Sequence, residues 1–379
     1  EEVNIGHLKI SEQQTVVEML SKHAEMWNGK LGEISVTKHR IDLVPNARPV
    51  YQAPYRAGKT YRDIESTEVP RMLDAGVIEP ATSEWASPVV LITKKDGSVR
   101  FCVDYRKLNA LTVKDTYPLP RMDECLDSLG DAFLFTTLDC NSGYWQIPVT
   151  DEDKDKTAFV THCGVHRFKR MPFGLCNAPA TFQCALDMLL AKVKWNFALV
   201  YLDDVIIYSH SLKDHLVHVD YVLSLLRNAG ISLKLQKCNF FQPRVDYLGH
   251  VVTPGKLSVA EKNIETIRQA KHPQNRTELR SFLGMCNVYR KFVPHFAKKA
   301  APLTELLKKG QPIELDALSK DQVQSFNELR TALTNAPILN LPREGGKFTL
   351  DVDASEYQLG ACLLQEQKDG KLAPCGYYS

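Results

Sequence analysis

Two adjacent aspartates, Asp203 and Asp204, stand between the apolar runs FALVYL (197–202) and VIIY (205–208). Runs of this length, rich in β-branched and aromatic residues and broken by a polar dipeptide, predict a β-hairpin with both acids at its tip. Neighbouring carboxylates repel one another and gain little in an ordinary turn, so the pair makes physical sense where cations neutralise it. Oxygen-only ligands with room for water favour magnesium or manganese over zinc.

Two further acidic points end predicted strands. From Ala132 to Asp139 the residues alternate, with Phe133, Phe135, Thr137 and Asp139 on one side and Leu134, Thr136 and Leu138 on the other. Asp351 and Asp353 share one face of FTLDVD (348–353). A lone acid at a strand end is ordinarily a turn residue or a cap. Two-metal phosphoryl transfer needs carboxylates that bridge ions roughly 3.5–4 Å apart, a task Asp139 and Asp203 fit if their strands are neighbours.

The 379 residues allow two or three domains with ample cores. A composition of 44% hydrophobic and 24% charged residues excludes a disordered or low-complexity chain. No run approaches the roughly 18 uninterrupted apolar residues of a membrane span. The start, Glu1-Glu2-Val3-Asn4, has no initiating Met and no signal-peptide pattern, so the chain is expected to be excised from something longer. Ten cysteines without a Cys-x-x-Cys pair predict reduced thiols in an intracellular protein. His162, Cys163 and His166 lie around Gly164 in a predicted hairpin tip, where a zinc site lacks a fourth ligand.

The net charge of +2 announces no partner, but its distribution is uneven: Val251 to Gly310 holds 12 Lys/Arg against 4 Asp/Glu, and Gln311 to Ser379 holds 6 against 10. A basic segment beside an acidic one suits a polyanion-gripping surface next to a cation-binding one. A solvated helix face is the plainer reading of the basic stretch.

Periodicity and capping place the remaining elements. Residues 11–27 read as a helix opened by a Ser11/Gln14 capping box, with Val16, Leu20, Ala24 and Trp27 on one face. A helix is predicted from Tyr61 to Ala75, and a hairpin from PVVLIT, the turn KKDG and SVRFCV. Pro179 suits the first turn of a helix carrying Phe182, Leu186, Leu189 and Val193. Another helix from Leu212 to Ala229 turns Leu216, Val219, Leu223 and Leu226 inward and stops at Gly230. Ser258/Glu261, Asn275/Glu278 and Ser319/Gln322 open three helices, and strands return after Pro342.

The wording around the acids is more specific than their spacing. YLDDVIIYS (201–209) contains the Tyr-x-Asp-Asp signature of reverse transcriptases, LDCNSGYWQI (138–147) resembles their first catalytic segment, and RMPFGLCNAPATFQ (170–183) resembles the segment lining their nucleotide pocket. KKDGSVRFCVDYRKLN (94–109) is similar to the fingers hairpin, and VDYLGHVVTPGKL (245–257) to the primer-gripping turn. All five occur in the family's order over most of residues 80–300. ELRSFLGMCNVYRKF (278–292) and FTLDVDASEYQLGACLLQ (348–365) resemble gypsy-type long-terminal-repeat retrotransposon polyproteins, the second being similar to the opening of a ribonuclease H domain.

That resemblance implies an α+β, right-hand polymerase fold followed by a ribonuclease H-like start. The implied parts are an N-terminal helix and linker (1–59), fingers and palm (60–252), a basic helical thumb or connection (253–340) and incomplete ribonuclease H-like strands (341–379). The implied activity is RNA- and DNA-templated DNA synthesis from a primer 3'-hydroxyl with two Mg2+ ions, Mn2+ substituting. A catalytically silent subunit, or a domesticated nucleic-acid-binding derivative, is the alternative.

Asp139, Asp203 and Asp204 become metal ligands and Cys140 contributes its backbone carbonyl. Lys94 and Arg100 meet the triphosphate, Tyr144 selects against a 2'-hydroxyl, and Phe173 with Gly174 lines the nucleotide site. Lys237 protonates the leaving pyrophosphate. Leu248, Gly249 and His250 grip the primer, while Lys262, Arg268, Lys271, Arg276 and Arg280 follow phosphates. Asp353 becomes the first nuclease metal ligand, without ribonuclease H activity, because the chain ends at Ser379 before further acids. Expected partners are a template–primer duplex, deoxynucleoside triphosphates and a second copy of the chain, with no membrane. The implied location is a cytoplasmic retrotransposon particle. Trp145 stands where the gypsy group commonly has His.

Overall fold

The computed structural model describes residues 3–56, 58–93, 99–308, 310, 318–343, 345–355 and 358–379, and the side chains of Thr93, Arg100, Ser355 and Gln358 lie outside that description. The described chain forms two compact units. The first comprises Glu1–Pro120, Thr136–Ile207 and Lys213–Phe240, and the second Arg121–Phe135, Tyr208–Leu212 and Phe241–Ser379.

In the first unit the helix Lys59–Asp74 precedes a sheet with strand order Ile78–Pro80, Gly164–Phe168, Phe159–Thr161, Ser87–Thr93, Val99–Val103. Neighbours run antiparallel except Ser87–Thr93 and Phe159–Thr161, which pair in parallel. The expected hairpin is present, with Thr93 opposite Val99. Its tip, including Lys94, lies outside the described residues. The three residues weighed for zinc diverge: His166 is 6% exposed and stacks on Phe159, whereas His162 at the turn bonds Glu65 of the helix.

A second sheet has the order Ala198–Tyr201, Asp204–Ser209, Leu134–Asp139, Asn239–Gln242, the far ends of the last three strands falling among the second unit's residues. The helices Ala178–Leu189 and Leu212–Asn228 cover apolar residues of this region. Phe182, Leu186, Val219 and Leu223 are fully buried, each contributing roughly 1.5–3 kcal/mol. Polar bonds fix the helices to the strands: Gln183 Nε2 donates to the Val200 carbonyl at 3.2 Å, and Thr136 Oγ1 meets His215 Nε2 at 2.8 Å. His215 is therefore buried where Leu216 was expected inward, because Thr136 supplies the partner an imidazole needs. The first helix ends at Leu189, so Val193 packs from the following turn.

The N-terminal helix is Ile10–Ser21, shorter than expected. Glu12 opens it by accepting the Lys9 N–H at 2.9 Å, displacing the Ser11/Gln14 box, and Trp27 lies in a separate 3-10 turn, Ala24–Trp27.

The second unit has a sheet ordered Val245–Tyr247, His250–Thr253, Lys256–Val259, Leu339–Asn340 and a three-stranded antiparallel sheet, Phe348–Ser355, Gln358–Glu366, Leu372–Tyr378. Among its described residues the helices are Met122–Asp127, Glu261–Arg268, Arg276–Val288, Phe296–Glu305 and Lys320–Thr334, with a 3-10 turn besides. Asn275 and Ser319 cap theirs through the N–H groups of Glu278 and Gln322, as expected. Ser258 does not cap: residues 256–259 pair with His250–Thr253, so the next helix opens after Ala260. Phe282, Phe292, Phe326, Leu329 and Leu333 form the core of this unit.

Candidate active site

The carboxylates stand where strands end. Tyr201 pairs with Asp204, so Leu202 and Asp203 alone make the hairpin turn. Leu202 has φ 52°, a left-handed conformation that costs a branched residue about 1–3 kcal/mol. Phe133 N–H donates to the Ser209 carbonyl at 2.8 Å, which makes Leu134–Asp139 antiparallel to Asp204–Ser209 and sets Asp139 beside the turn. The three acids named from sequence thus converge.

Their electrostatics follow from that convergence. The Asp203 carboxyl is pushed up to about 6, first by the partial loss of its hydration, although the residue as a whole reaches solvent, and then by the charges of Asp204 and Asp139. Lys237 opposes this shift. Its Nζ lies 3.1 Å from Asp139 Oδ2, while Cys238 Sγ accepts the Asp139 N–H at 3.5 Å. Cys140 is buried, and burial with the surrounding carboxylates raises its thiol pKa, leaving the side chain neutral.

An aromatic wall adjoins the acids. Tyr144 stacks on Phe173, with ring centroids 5.1 Å apart, and tilts onto Phe182 at 5.5 Å. Burial and the Asp203 charge push its phenol up to about 12. Phe173 is 42% exposed, leaving a face for a ligand. Trp145 tilts onto Phe173 from 6.2 Å, and the Arg71 guanidinium lies 5.8 Å from its ring centre, so Trp145 backs the wall. Gly174 has φ 97°, and a Cβ there would come within 3.3 Å of the Val103 carbonyl, which ends the strand carrying Arg100. The Arg100 side chain and Lys94 lie outside the described residues.

Other candidates occupy the second unit. Leu248 (φ 48°) and Gly249 (φ 77°) form the two-residue turn between Tyr247 and His250. Asn263 Nδ2 and Tyr289 Oη hold the Gly249 carbonyl at 3.1 and 3.2 Å. His250 is 2% exposed, meets the Leu248 carbonyl through Nδ1 at 2.9 Å and packs against Tyr289 and Phe292. Its imidazole therefore braces the turn, whose surface is Leu248 and Gly249. Lys262, Lys271 and Arg280 are exposed, whereas Arg268 pairs with Glu265 and Arg276 bonds the Leu307 and Lys308 carbonyls. Asp353 is exposed and lines a cavity of about 650 Å³ with His295, Lys298 and Glu328.

Sequence reasoning left Gln183 without a role. Its amide accepts the Leu202 N–H at 2.7 Å and donates to Asp187. The available signal was a polar residue on the apolar face of its helix.

Residues 92–252 match the family described as reverse transcriptase (RNA-dependent DNA polymerase), and residues 318–379 the RNase H-like domain found in reverse transcriptase. The retrovirus-related Pol polyprotein from transposon 297 of Drosophila melanogaster is 39% identical over 341 residues, 89% of this chain and 32% of that protein. The chain belongs to the reverse transcriptase family.

The Pol polyprotein from transposon opus of the same organism is 34% identical over 400 residues, covering 100% of the chain and 40% of that protein. The transposon Tf2-3 polyprotein of Schizosaccharomyces pombe is 34% identical over 347 residues, covering 92% and 25%. The chain thus spans between 25% and 40% of the length of these three relatives. Among solved structures, the foamy viral protease-reverse transcriptase dRH in complex with double-stranded DNA superposes with a TM-score of 0.86 at 24% identity, over 98% of this chain and 65% of that one. The same viral protein in complex with RNA/DNA hybrid gives 0.82 at 23%, over 98% and 50%. The α+β polymerase fold with an RNase H-like start, implied by the motifs, is therefore the fold of this reverse transcriptase chain.

Proposed function

We propose that this chain is an RNA- and DNA-templated DNA polymerase that extends a primer 3'-hydroxyl with deoxynucleoside triphosphates. The observation that carries this reading is the convergence of Asp139, Asp203 and Asp204 at one end of the sheet beside the Tyr144–Phe173 wall. Among the described residues no group of three His, Cys, Asp or Glu is already gathered as a ligand cluster. The donor set nevertheless fits a hard divalent ion, and Lys237 sits on Asp139 as a stand-in cation. Asp139, Asp203, Asp204 and the Cys140 carbonyl would hold Mg2+, as two ions with Mn2+ substituting. When bound, the metal supplies Lewis acidity toward the primer hydroxyl and countercharge for the triphosphate.

The protein's own groups do the rest. The primer hydroxyl gives up its proton to solvent and its oxygen bonds to the α-phosphorus as the bond from that phosphorus to the α,β-bridging oxygen breaks, while Lys237 delivers a proton to the departing pyrophosphate and is reprotonated from solvent. Tyr144 fills the space a 2'-hydroxyl would take, and Phe173 packs against the sugar and base. Lys94 and Arg100 neutralise the triphosphate. Leu248 and Gly249 offer backbone to the primer, with His250 behind them. Lys262, Lys271 and Arg280 meet phosphates, so affinity for duplex falls steeply with salt.

The reading keeps the division into fingers and palm (60–252), thumb or connection (253–340) and ribonuclease H-like strands (341–379), with Asp353 as a nuclease metal ligand. It also includes self-association and, from the kinship with transposon polyproteins, residence in a cytoplasmic particle. Among the described residues no helix is long and apolar enough to cross a membrane. The test is single-nucleotide extension of a DNA primer on an RNA template with Mg2+, by the parent chain and by Asp203→Asn. Extension by the parent alone is the expected result. No extension by either, with duplex still bound, would transfer the chain to a supporting-subunit role.

A further inference from the structure

We infer that Gln183 and Asp187 form a polar bracket that sets the aim of the Asp203–Asp204 turn, an inference that rests on the polymerase reading for its kinetic consequence but not for its structural one. Gln183 is fully buried, yet every polar atom of its amide has a partner. Oε1 accepts the Leu202 N–H at 2.7 Å, while Nε2 donates to Asp187 Oδ1 at 2.9 Å and to the Val200 carbonyl at 3.2 Å. Asp187 is held in turn by Tyr117, whose hydroxyl donates to Oδ2 at 2.8 Å, and by Lys194 Nζ, 2.7 Å from Oδ1. The Asp187 side chain is 11% exposed, so these bonds work with little competition from water.

The chemistry demands an amide at this position. One end must accept from an N–H, and the other must donate twice, to a carbonyl and a carboxylate; glutamine alone has this division at this length. The accepted N–H belongs to Leu202, the residue whose left-handed backbone makes the turn. Gln183 therefore clamps the arm of the hairpin that runs into Asp203, at the Val200 carbonyl and at the Leu202 N–H. It touches neither substrate nor metal and acts as a positioning residue. Tyr117 and Lys194 keep Asp187 in the rotamer that receives it.

Gln183→Glu is the sharpest probe, since it keeps shape but opposes a carboxylate to the Val200 carbonyl and to Asp187. In the metal-free chain, amide hydrogen exchange across residues 198–209 should quicken at least about 10-fold while other core segments keep their protection. With Mg2+ and template–primer, kcat should fall about 10- to 100-fold with the KM for nucleotide changed less than about 3-fold. Tyr117→Phe, which removes one hydroxyl at the edge of the network, should produce the same pattern at a few-fold amplitude, and it decides the matter if Gln183→Glu does not fold. Unchanged exchange across residues 198–209 in folded Gln183→Glu, or in Tyr117→Phe if that variant must decide, would overturn the bracket. So would a rise in KM with kcat intact. Quickened exchange in a chain whose parent form extends no primer would uphold the bracket and defeat the polymerase reading instead.

Discussion

Two hairpins of this reverse transcriptase turn on a leucine where glycine is the usual occupant. Leu202, at φ 52°, opens the turn that carries Asp203, and Leu248, at φ 48°, opens the turn completed by Gly249. Each is stabilised from outside, by Gln183 at the first turn and by Asn263 and Tyr289 at the second. The braces differ in what they occupy. The first holds an N–H and leaves carboxylates at the surface; the second holds a carbonyl, buries the imidazole of His250, and leaves backbone at the surface. A strained turn can thus be prepared for metal or for a strand, according to which group the helix side chains capture.

The largest expected effect separates the two turns by function. Asp203→Asn should lower single-nucleotide extension by at least about 100-fold while duplex affinity stays within a few-fold. Gly249→Ala should do the reverse. A Cβ there would lie 2.8 Å from Tyr289 Oη and 3.2 Å from Asn263 Nδ2, on a backbone at φ 77°. Up to about 3 kcal/mol of stability should be lost in thermal unfolding, and primer–template should bind more weakly. Similar turnover on bound duplex in parent and Gly249→Ala keeps the comparison; a catalytic collapse like that of Asp203→Asn would break it.

Acid should single out the second turn. Burial holds the His250 imidazole down to about 4, well below its ordinary value of 6.5. The unfolded chain gains this proton as pH falls through about 6.5, whereas the folded chain resists until about 4, so stability falls across that window and is flat above it. By pH 5 the loss from this residue is about 2 kcal/mol. His39, lowered to about 4, and His215, lowered to about 3, add the same sign of slope in the first unit. His250→Gln should therefore flatten only part of the pH dependence of urea unfolding. An unchanged slope would mean that His250 titrates as an exposed imidazole, and the buried brace would be lost.

Much of this was legible in sequence because the signals were local. Period-2 alternation exposed the strand ending at Asp139, the Asn275 and Ser319 caps were read correctly, and the acids were flanked by motif words. Tertiary competition hid the rest. Ser258 has the spacing of a cap but is claimed by a strand ladder, and Ser11 yields to Glu12 reaching back to Lys9. His215 replaces an expected leucine inward because a threonine distant in sequence, Thr136, offers it a bond. Gln183 shows in sequence only as a polar residue on an apolar helix face: Asp187 lies four residues on in the same helix, but the Leu202 N–H that its other end captures belongs to a separate turn, and no helical period brings that turn to it.

The smallest effect tests whether leucine at these turns is kept for its backbone or its side chain. Both leucines are only partly buried, so replacing either by glycine trades lost apolar contact against relief of the left-handed strain. The two terms are of similar size, and the net change in stability for Leu202→Gly or Leu248→Gly should be within about 1 kcal/mol. Their kinetic consequences should differ. Glycine at 202 loosens the segment next to Asp203 and should lower turnover a few-fold, whereas glycine at 248 leaves the acids untouched and should alter only duplex affinity. A stability loss above about 2 kcal/mol at either position would show that the side chain is what the turn retains, and strain would cease to be the common feature of the two hairpins.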